Sequence, residues 1–505
     1  MIKGLLIYNA HLVDESMDTA GAILIIDGKI RFVFQGYFTS GKTAEQMARI
    51  ILKEDGFDEN FPLELFNANN LIVTPAFIDM HVHLRYPGQT QKEDLESGLK
   101  AAAAGGYGTV VAMPNTNPVV SSVEMAMQIE RDAAALGLTQ LFQTVSLTKD
   151  FNGTDVSHLD FLDNKYIPVI SEDGRDVASS SVMLQAMKKA ADNNVIVSCH
   201  CEDAFLSVDA KGHRQIALDM MKKLELTSWG TSSKYDCDDN CPSEFDILND
   251  ELCKADILLE KAEDLMTERN LELAKMADCK VHIAHVSSKG ALDAIKKAKA
   301  EIKNFNEAHH LVSATTTYYD FLNDEKAEKF EKYSRNYNVT CEVTPHHIAL
   351  AGDEPPFNRA LVNPPLKDRN TRYELIKAVQ DGTIDVISTD HAPHTLEDKK
   401  NGAPGFPGLE TSFAICNTFL VKPEHINASK LSQLMSANPA RILGLEKGLL
   451  KSGYDADIVI VDSDEQWTVK AENFYTKGRA TPFEGKTLVG AVKSLIINGK
   501  VVLEK

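Results

Sequence analysis

Between about residue 70 and residue 390 the chain, though without a sequence repeat, alternates short Val- and Ile-rich runs with stretches of helical spacing that follow after a loop. The runs are LIVTPAFIDMHVHL, GTVVAMPN, LFQTVSLT, YIPVISEDG, VIVSCHCE, KVHIAHVS, VTCEVTPHH and IDVISTDH, and the helical stretches include KEDLESGLKAAAAGG and SSSVMLQAMKKAADNN. Near-continuous apolar runs suit strands covered on both faces, and strands alternating with helices build a parallel sheet. Eight such units predict an α/β fold, a closed (β/α)8 barrel of the TIM type, with a doubly wound open sheet as the alternative. The sequence Ser121-Ser122-Val123-Glu124 predicts a capping box at one helix start.

The two ends of the chain break this pattern. Residues 1–70 carry LLIYNAHLV, AILIIDGKI and RFVFQG, and the tail carries ADIVIVD and LVGAVKSLIINGKVVLEK. Both read as antiparallel strands, with tight turns at Asp27-Gly28 and Asn498-Gly499. The expectation is a small β-sandwich domain built from residues 1–70 and 444–505, flanking a barrel of residues 71–443. Two connections exceed ordinary loops, 203–258 after the fifth strand and 301–337 before the seventh. The first leaves a strand's carboxyl end, hence lies on the catalytic face of a barrel and is the lid candidate; the second belongs on the opposite face.

Charge narrows the partners. Lys and Arg number 53 against 73 Asp and Glu, a formal charge of −20 in 505 residues, and no long basic run offers a surface to nucleic acid. The start, MIKGLLIYNAHLVDES, lacks the apolar core of a secretory signal, and no 18-residue apolar span occurs, so a cytoplasmic protein without membrane contact is expected. Eight cysteines, several inside apolar runs (Cys199, Cys279, Cys341, Cys416), fit free buried thiols of a reducing compartment. Cys237 and Cys241 in CDDNC are a conceivable metal pair, but no second pair follows at finger spacing.

The chemistry sits at the carboxyl ends of the predicted strands: His81 and His83 on the first, Asp173 after the fourth, His200 on the fifth, His285 on the sixth and Asp390 on the eighth. In a strand, residues two apart point the same way, so His81 and His83 aim together into the barrel mouth while Val82 packs outward. That pair suits one metal ion; His200 and His285 suit a second, with the Asp173 carboxylate between them. Taken singly each has a plainer reading, Asp173 as a turn residue before Gly174 and Asp390 as a helix cap. Their joint occurrence on the rim where barrels carry their active sites predicts a binuclear centre. Imidazole plus carboxylate favours Zn²⁺, though Mn²⁺, Co²⁺ and Fe²⁺ accept the same donors. His282 is expected to face the helix layer or stand behind the ligands, and the His346-His347 pair to orient neighbours.

Read in order, HVHLRYPG, AMPNTNPV, HCED, AHVSSKGAL, CEVTPHH, LVNPPLKD and STDHAPH resemble the successive motifs of the dihydroorotases of the amidohydrolase superfamily, the barrel-type bacterial enzymes in particular. The likeness runs from about Pro75 to Thr411. It implies the barrel with a small β domain from both termini, two Zn²⁺ per chain on His81, His83, Asp173, His200, His285 and Asp390, and the substrate contacts Arg85, Asn115, Asn363 and His394. It also implies that the backbone near Pro404 and Gly405 closes over the ring. The reaction so implied is the reversible cyclisation of N-carbamoyl-L-aspartate to L-dihydroorotate in pyrimidine biosynthesis. Asp390 is then the catalytic group that relays a proton between the attacking water and the ring nitrogen, while the metal pair activates the water and polarises the amide carbonyl. Arg85, two residues past His83, has the planar fork that binds a carboxylate, although an exposed Arg in a salt bridge is the plainer reading. Asn115 and Asn363, beside prolines, also read as turn residues. The resemblance further implies either a homodimer or association with aspartate transcarbamoylase.

Three departures stand out. YIPVISEDG offers no lysine for the carboxylated bridge common in the superfamily, so Asp173 is expected to bridge directly, with Glu172 as competitor. Tyr86 stands where a Glu is common in HLREPG, and the two long connections have no counterpart. The rival functions are a sister cyclic-amide hydrolase acting on hydantoins, dihydropyrimidines or allantoin, and a catalytically silent scaffold subunit.

Overall fold

A computed structural model describes residues 3–223, 243–308, 336–352 and 362–505. The predicted Cys237–Cys241 pair and the middles of both long connections lie outside these described residues.

Eight parallel strands form the barrel. They are Phe77–Val82, Tyr107–Ala112, Gln140–Gln143 continued as Val145–Ser146, Val169–Ser171, Ile196–Cys199, Lys280–Ile283, Asn338–Val343 and Val386–Ile387. Each pairs in parallel with the next, and a parallel bridge between Val82 and His391 closes the ring. The closure is reinforced by Asp79, a buried carboxylate on the first strand that accepts from Thr389 N at 3.1 Å and Thr389 Oγ1 at 2.6 Å beyond the last. Burial pushes the Asp79 pKa up to about 7, against the hydrogen bonds that favour its charge. Ile78, Met80, Val111, Phe142, Val169, Ile196 and Val386, from six strands, gather with Ala440 and Leu443 in one apolar cluster. Such a ring is the filled interior of a barrel, not a pore.

The run LIVTPAFIDMHVHL is two strands, not one. Ile72–Pro75 pairs antiparallel with Ile458–Val461 in the small sheet, and only after Ala76 does Phe77–Val82 enter the barrel. The small sheet runs Lys500–Glu504, Thr487–Ile497, Ile458–Thr468, Ile72–Pro75, Gly4–Asp14, Met17–Ile26 and Lys29–Gln35, with Leu63–Asn67 also paired to Gly4–Asp14. All eight strands belong to one hydrogen-bonded sheet, and two of its pairings are parallel, a departure from the all-antiparallel pattern expected. A bulge at Tyr8 and Asn9 divides Gly4–Asp14 between those two partners. Apolar residues cover both faces: Ile7, Leu12, Ile23, Ile458 and Ile496 on one, and Leu6, Leu24 and Phe34 against the helix Gly41–Glu54 on the other.

The helices also depart from expectation in two places. Ser122, not Ser121, caps Val123–Ala134 by accepting from Met125 N, so Glu124 is not placed to complete a capping box. After the third strand there is no α-helix, only the 3₁₀ turns Lys149–Phe151 and Ser157–Phe161. Asn152 Oδ1 accepts from Thr154 N and Asp155 N, Asp155 from Ser157 N, and Asp163 from Lys165 N. Asn and Asp side chains that satisfy nearby backbone donors compete with the helix. The described parts of the connection after the fifth strand are helical, Ala204–Lys223 and the 35-residue Ser243–Ala277.

Candidate metal centre

Strand ends deliver a cluster of buried imidazoles around Asp173. His81 Nε2 lies 3.2 Å and His200 Nδ1 3.2 Å from Asp173 Oδ1, with His285 Nε2 at 3.8 Å, while His83 Nε2 lies 3.4 Å from Asp173 Oδ2. Two three-residue groups have ligand atoms close enough to share an ion: His81, His83 and Asp173, and Asp173, His200 and His285. Asp390 Oδ1 sits 3.1 Å from His83 Nε2 and 3.7 Å from His81 Nε2. The six residues expected as ligands therefore converge on one point of the barrel rim.

The protonation pattern suits metal binding. His83 Nδ1 faces Asn115 Oδ1 at 2.9 Å and His81 Nδ1 faces Glu342 Oε1 at 3.0 Å. An amide oxygen and a carboxylate only accept, so each Nδ1 carries a proton and each Nε2 is turned to the carboxylates of the cluster. His81 Nε2 and Asp173 Oδ1 are buried without a hydrogen-bond partner despite their proximity, and His200 Nδ1 meets His285 Nε2 at 2.9 Å. Buried polar atoms left without partners are costly unless an ion or a proton joins them. The donor set of imidazole and carboxylate fits a divalent transition metal.

Electrostatics point the same way. Burial raises the Asp173 pKa, but the charge on His81 and the closeness of His200 and His285 hold it well below the usual carboxylate range. Burial draws His81 and His200 down, yet Asp173 with Glu342 lifts the one and Asp173 with Glu202 the other well above the histidine range. His83 is lowered, by burial and then by Arg85. Asp390, pushed up by burial, is brought to about 2 by the His83 hydrogen bond and the His81 charge, and so stays ionised. Asp173, Asp390, Glu202 and Glu342 together demand positive charge from protons or metal ions.

The residues expected to meet substrate are placed unequally. Arg85 is buried, in left-handed backbone at φ 55°, and has no ion-pair partner among the described residues. Its Nη2 donates to His394 Nε2 at 3.3 Å, and burial followed by the Arg85 charge drives the His394 pKa down to about 2, leaving it neutral. Asn115 faces the ligands: besides His83 it donates from Nδ2 to Asp173 Oδ2 at 3.2 Å. Asn363 Nδ2 donates to Glu202 Oε2, while its Oδ1 is buried and unpartnered. Pro404 is exposed; Gly405, at φ 106°, lies so near Ala392 that a Cβ there would fall 2.6 Å from the alanine methyl. His391, next to Asp390, turns away to Glu93 at 3.3 Å.

Two carboxylates escaped the reading of the sequence. Glu342 accepts from His81 Nδ1, from His282 Nε2 at 3.1 Å and from His285 N at 3.4 Å, so His282 stands behind the ligands. An acidic residue amid the apolar CEV of a buried strand was the available signal. Glu202 in HCED lies 3.6 Å from His200 Nε2. Glu172 faces away from the cluster and accepts from Thr148 N at 2.8 Å and from Thr148 Oγ1. His347 donates from Nε2 to the Pro364 carbonyl at 3.2 Å, and His346 packs edge-on against Phe406.

A family model described as Dihydro-orotase-like matches residues 70–215, and one described as Amidohydrolase family matches residues 243–502. The chain is 37% identical to the dihydroorotase of Clostridium botulinum (strain Eklund 17B / Type B), an alignment covering 99% of this chain and 100% of that protein. It is 33% identical to the dihydroorotase of Caldanaerobacter subterraneus subsp. tengcongensis, covering 93% and 96%. Among solved structures, L-hydantoinase (dihydropyrimidinase) from Arthrobacter aurescens matches with a TM-score of 0.73 at 20% identity, covering 100% of this chain and 97% of that one. Dihydropyrimidinase from Brevibacillus agri NCHU1002 matches with a TM-score of 0.70 at 19% identity, covering 100% and 95%. At that identity these two matches speak for the barrel fold alone.

Proposed function

The chain belongs to the dihydroorotase family of the amidohydrolases, and on that premise we propose that it interconverts L-dihydroorotate and N-carbamoyl-L-aspartate, a step of pyrimidine biosynthesis. It is a metal-dependent hydrolase acting on a cyclic amide. The observation that carries the substrate assignment is Arg85, a buried guanidinium with no carboxylate of its own among the described residues, beside neutral His394 and near the ligand cluster. A desolvated guanidinium is a strong receptor for a substrate carboxylate.

We assign His81, His83 and Asp173 to one ion and Asp173, His200 and His285 to the other, with Asp390 as a further ligand and two zinc ions per chain. Ions held by these residues would polarise the amide carbonyl and lower the pKa of the attacking water. Arg85 and His394 hold the ring carboxylate, and Asn363 contacts the ring. Asn115 contributes by locking His83 and Asp173, which is what its three hydrogen bonds support. In ring opening Asp390 accepts a proton from the attacking water and delivers it to the departing ring nitrogen; in ring closure it takes the proton from that nitrogen and delivers it to the departing hydroxyl, which leaves as water. Its depressed pKa supports the ionised form that the first role requires.

A cytoplasmic location is our reading of the buried thiols Cys199, Cys201, Cys279, Cys341 and Cys416, none of which is in a disulfide. The state of assembly, a homodimer or a complex with an aspartate transcarbamoylase, rests on the resemblance alone and is tested by light scattering of the purified chain with and without that enzyme.

The decisive assay follows both directions of the reaction with zinc-loaded protein, with dihydrouracil, hydantoin and allantoin in parallel. Turnover of dihydroorotate alone is expected. In Arg85→Lys, which keeps the charge and loses the fork, KM for dihydroorotate should rise roughly tenfold with kcat little changed. Turnover of an uncharged ring in preference to dihydroorotate discards the carboxylate pocket, and silence on all four with metal bound favours the scaffold.

A further inference from the structure

The helix Ala204–Lys223 sends one side chain inward where a surface helix has no need of it. Arg214 Nη2 donates to the Val362 carbonyl at 3.2 Å, while its Nε is closed off from solvent and has no hydrogen-bond partner. Val362 immediately precedes Asn363, whose Nδ2 donates to Glu202, and Glu202 in turn lies 3.6 Å from His200. Leu218, four residues on and thus on the same helix face, packs on the next loop: a Cβ on Gly402 would fall 2.4 Å from Leu218 Cδ1. That loop is tied by Lys399 Nζ, which donates to Ala403 O at 2.7 Å and Gly405 O at 2.6 Å. One helix face therefore touches the loops that follow the seventh and the eighth barrel strands.

Burying a guanidinium is unfavourable, and an apolar side chain of similar length would fill the same path more cheaply. Asp256 and Glu202 favour its charge there, and what the arginine adds beyond that charge is a directional bond to one carbonyl, which Arg214→Lys separates from it. We propose that Arg214 is a positioning residue: through the Val362 carbonyl it fixes the backbone from which Asn363 reaches the substrate. The inference rests on the reading of Asn363 as a substrate contact, and it makes the helix Ala204–Lys223 a brace for the binding loops.

The test is a double-mutant cycle of Arg214→Met and Asn363→Ala, run on whichever cyclic amide the zinc-loaded enzyme turns over, so that a wrong substrate assignment shows separately from a wrong role for Arg214. Loss of one charge-assisted hydrogen bond should raise KM roughly tenfold in Arg214→Met, with kcat changing far less. In the Asn363→Ala background the same change should alter KM less than about twofold. Hydrogen exchange should quicken at the Asn363 and Leu366 amides, since Pro364 and Pro365 carry none, and stay unchanged in the first barrel strand. Arg214→Lys, which keeps a cation there, should show an intermediate KM and guards against a fold lost in Arg214→Met. Fully additive effects, or unchanged exchange at Asn363 and Leu366 in either Arg214 variant, overturn the proposal.

Discussion

Asp173 and Glu172 are adjacent carboxylates of the same type with opposite fates. Asp173 lies among four histidines, whereas Glu172 is held by Thr148 and pushed by burial to about 7. Their identities were legible in YIPVISEDG; which one faces the histidine cluster was not, because a strand end turns side chains by backbone geometry that spacing alone does not encode. Glu342 shows the same limit. It fixes the proton of His81 on Nδ1 and holds the backbone of His285, so Glu342→Ala should lower metal affinity by roughly 10–100-fold, read by competition with a chelator, while thermal unfolding stays cooperative. Asp390→Asn should cut kcat by roughly a thousandfold or more through loss of the proton acceptor, with metal content by elemental analysis close to that of the parent. Full activity in that variant removes Asp390 from the proton path.

Local signals worked best for turns. Asp27-Gly28 and Asn498-Gly499 both adopt positive φ between strands that pair directly, Ile26 with Lys29 and Ile497 with Lys500, as a two-residue hairpin turn requires. The helix after the third strand failed because Asn152, Asp155 and Asp163 satisfy backbone donors that a helix would otherwise engage. On Val123–Ala134, Glu130 accepts from Gln143 N at 2.9 Å and so ties its helix to the third strand. Burial raises its pKa from an ordinary 4.5 to about 7, so between these values the folded chain binds a proton that the unfolded chain releases. Stability through this group therefore falls as pH rises from 4.5 to 7 and gains nothing from it above. Glu130→Gln, which still offers an accepting oxygen, should raise Tm by a few degrees at pH 8, with the difference shrinking toward pH 4.5; a Tm gain independent of pH contradicts the burial argument.

At the scale of the molecule, the barrel closes where distant segments meet. Asp79 joins the first strand to Thr389, and the six expected ligands come from five strands spread over some 300 residues. A cation that binds this cluster only when the barrel is closed must stabilise the fold. Chelation should lower Tm and zinc should restore it, a difference of about 4 kcal/mol at a free zinc level a thousandfold above Kd. A chelated chain that melts unchanged places the metal elsewhere. The small sheet is bound to the barrel in the same non-local way: Lys447 Nζ donates to Asp457 Oδ2 and to Gln140 Oε1 at 2.7 Å, and no helix of the described residues is long and apolar enough to cross a membrane.

The sequence by itself determined the eight-strand alternation, the ligand types and their order, since period, turn chemistry and residue type are local properties of the chain. Tertiary structure decided that LIVTPAFIDMHVHL is divided between sheet and barrel, that Asn115 ties His83 to Asp173, and that Glu202 and Glu342 stand behind the histidines. Those outcomes depend on which segments close against one another, and a carboxylate is drawn into a core only where the finished fold brings it partners.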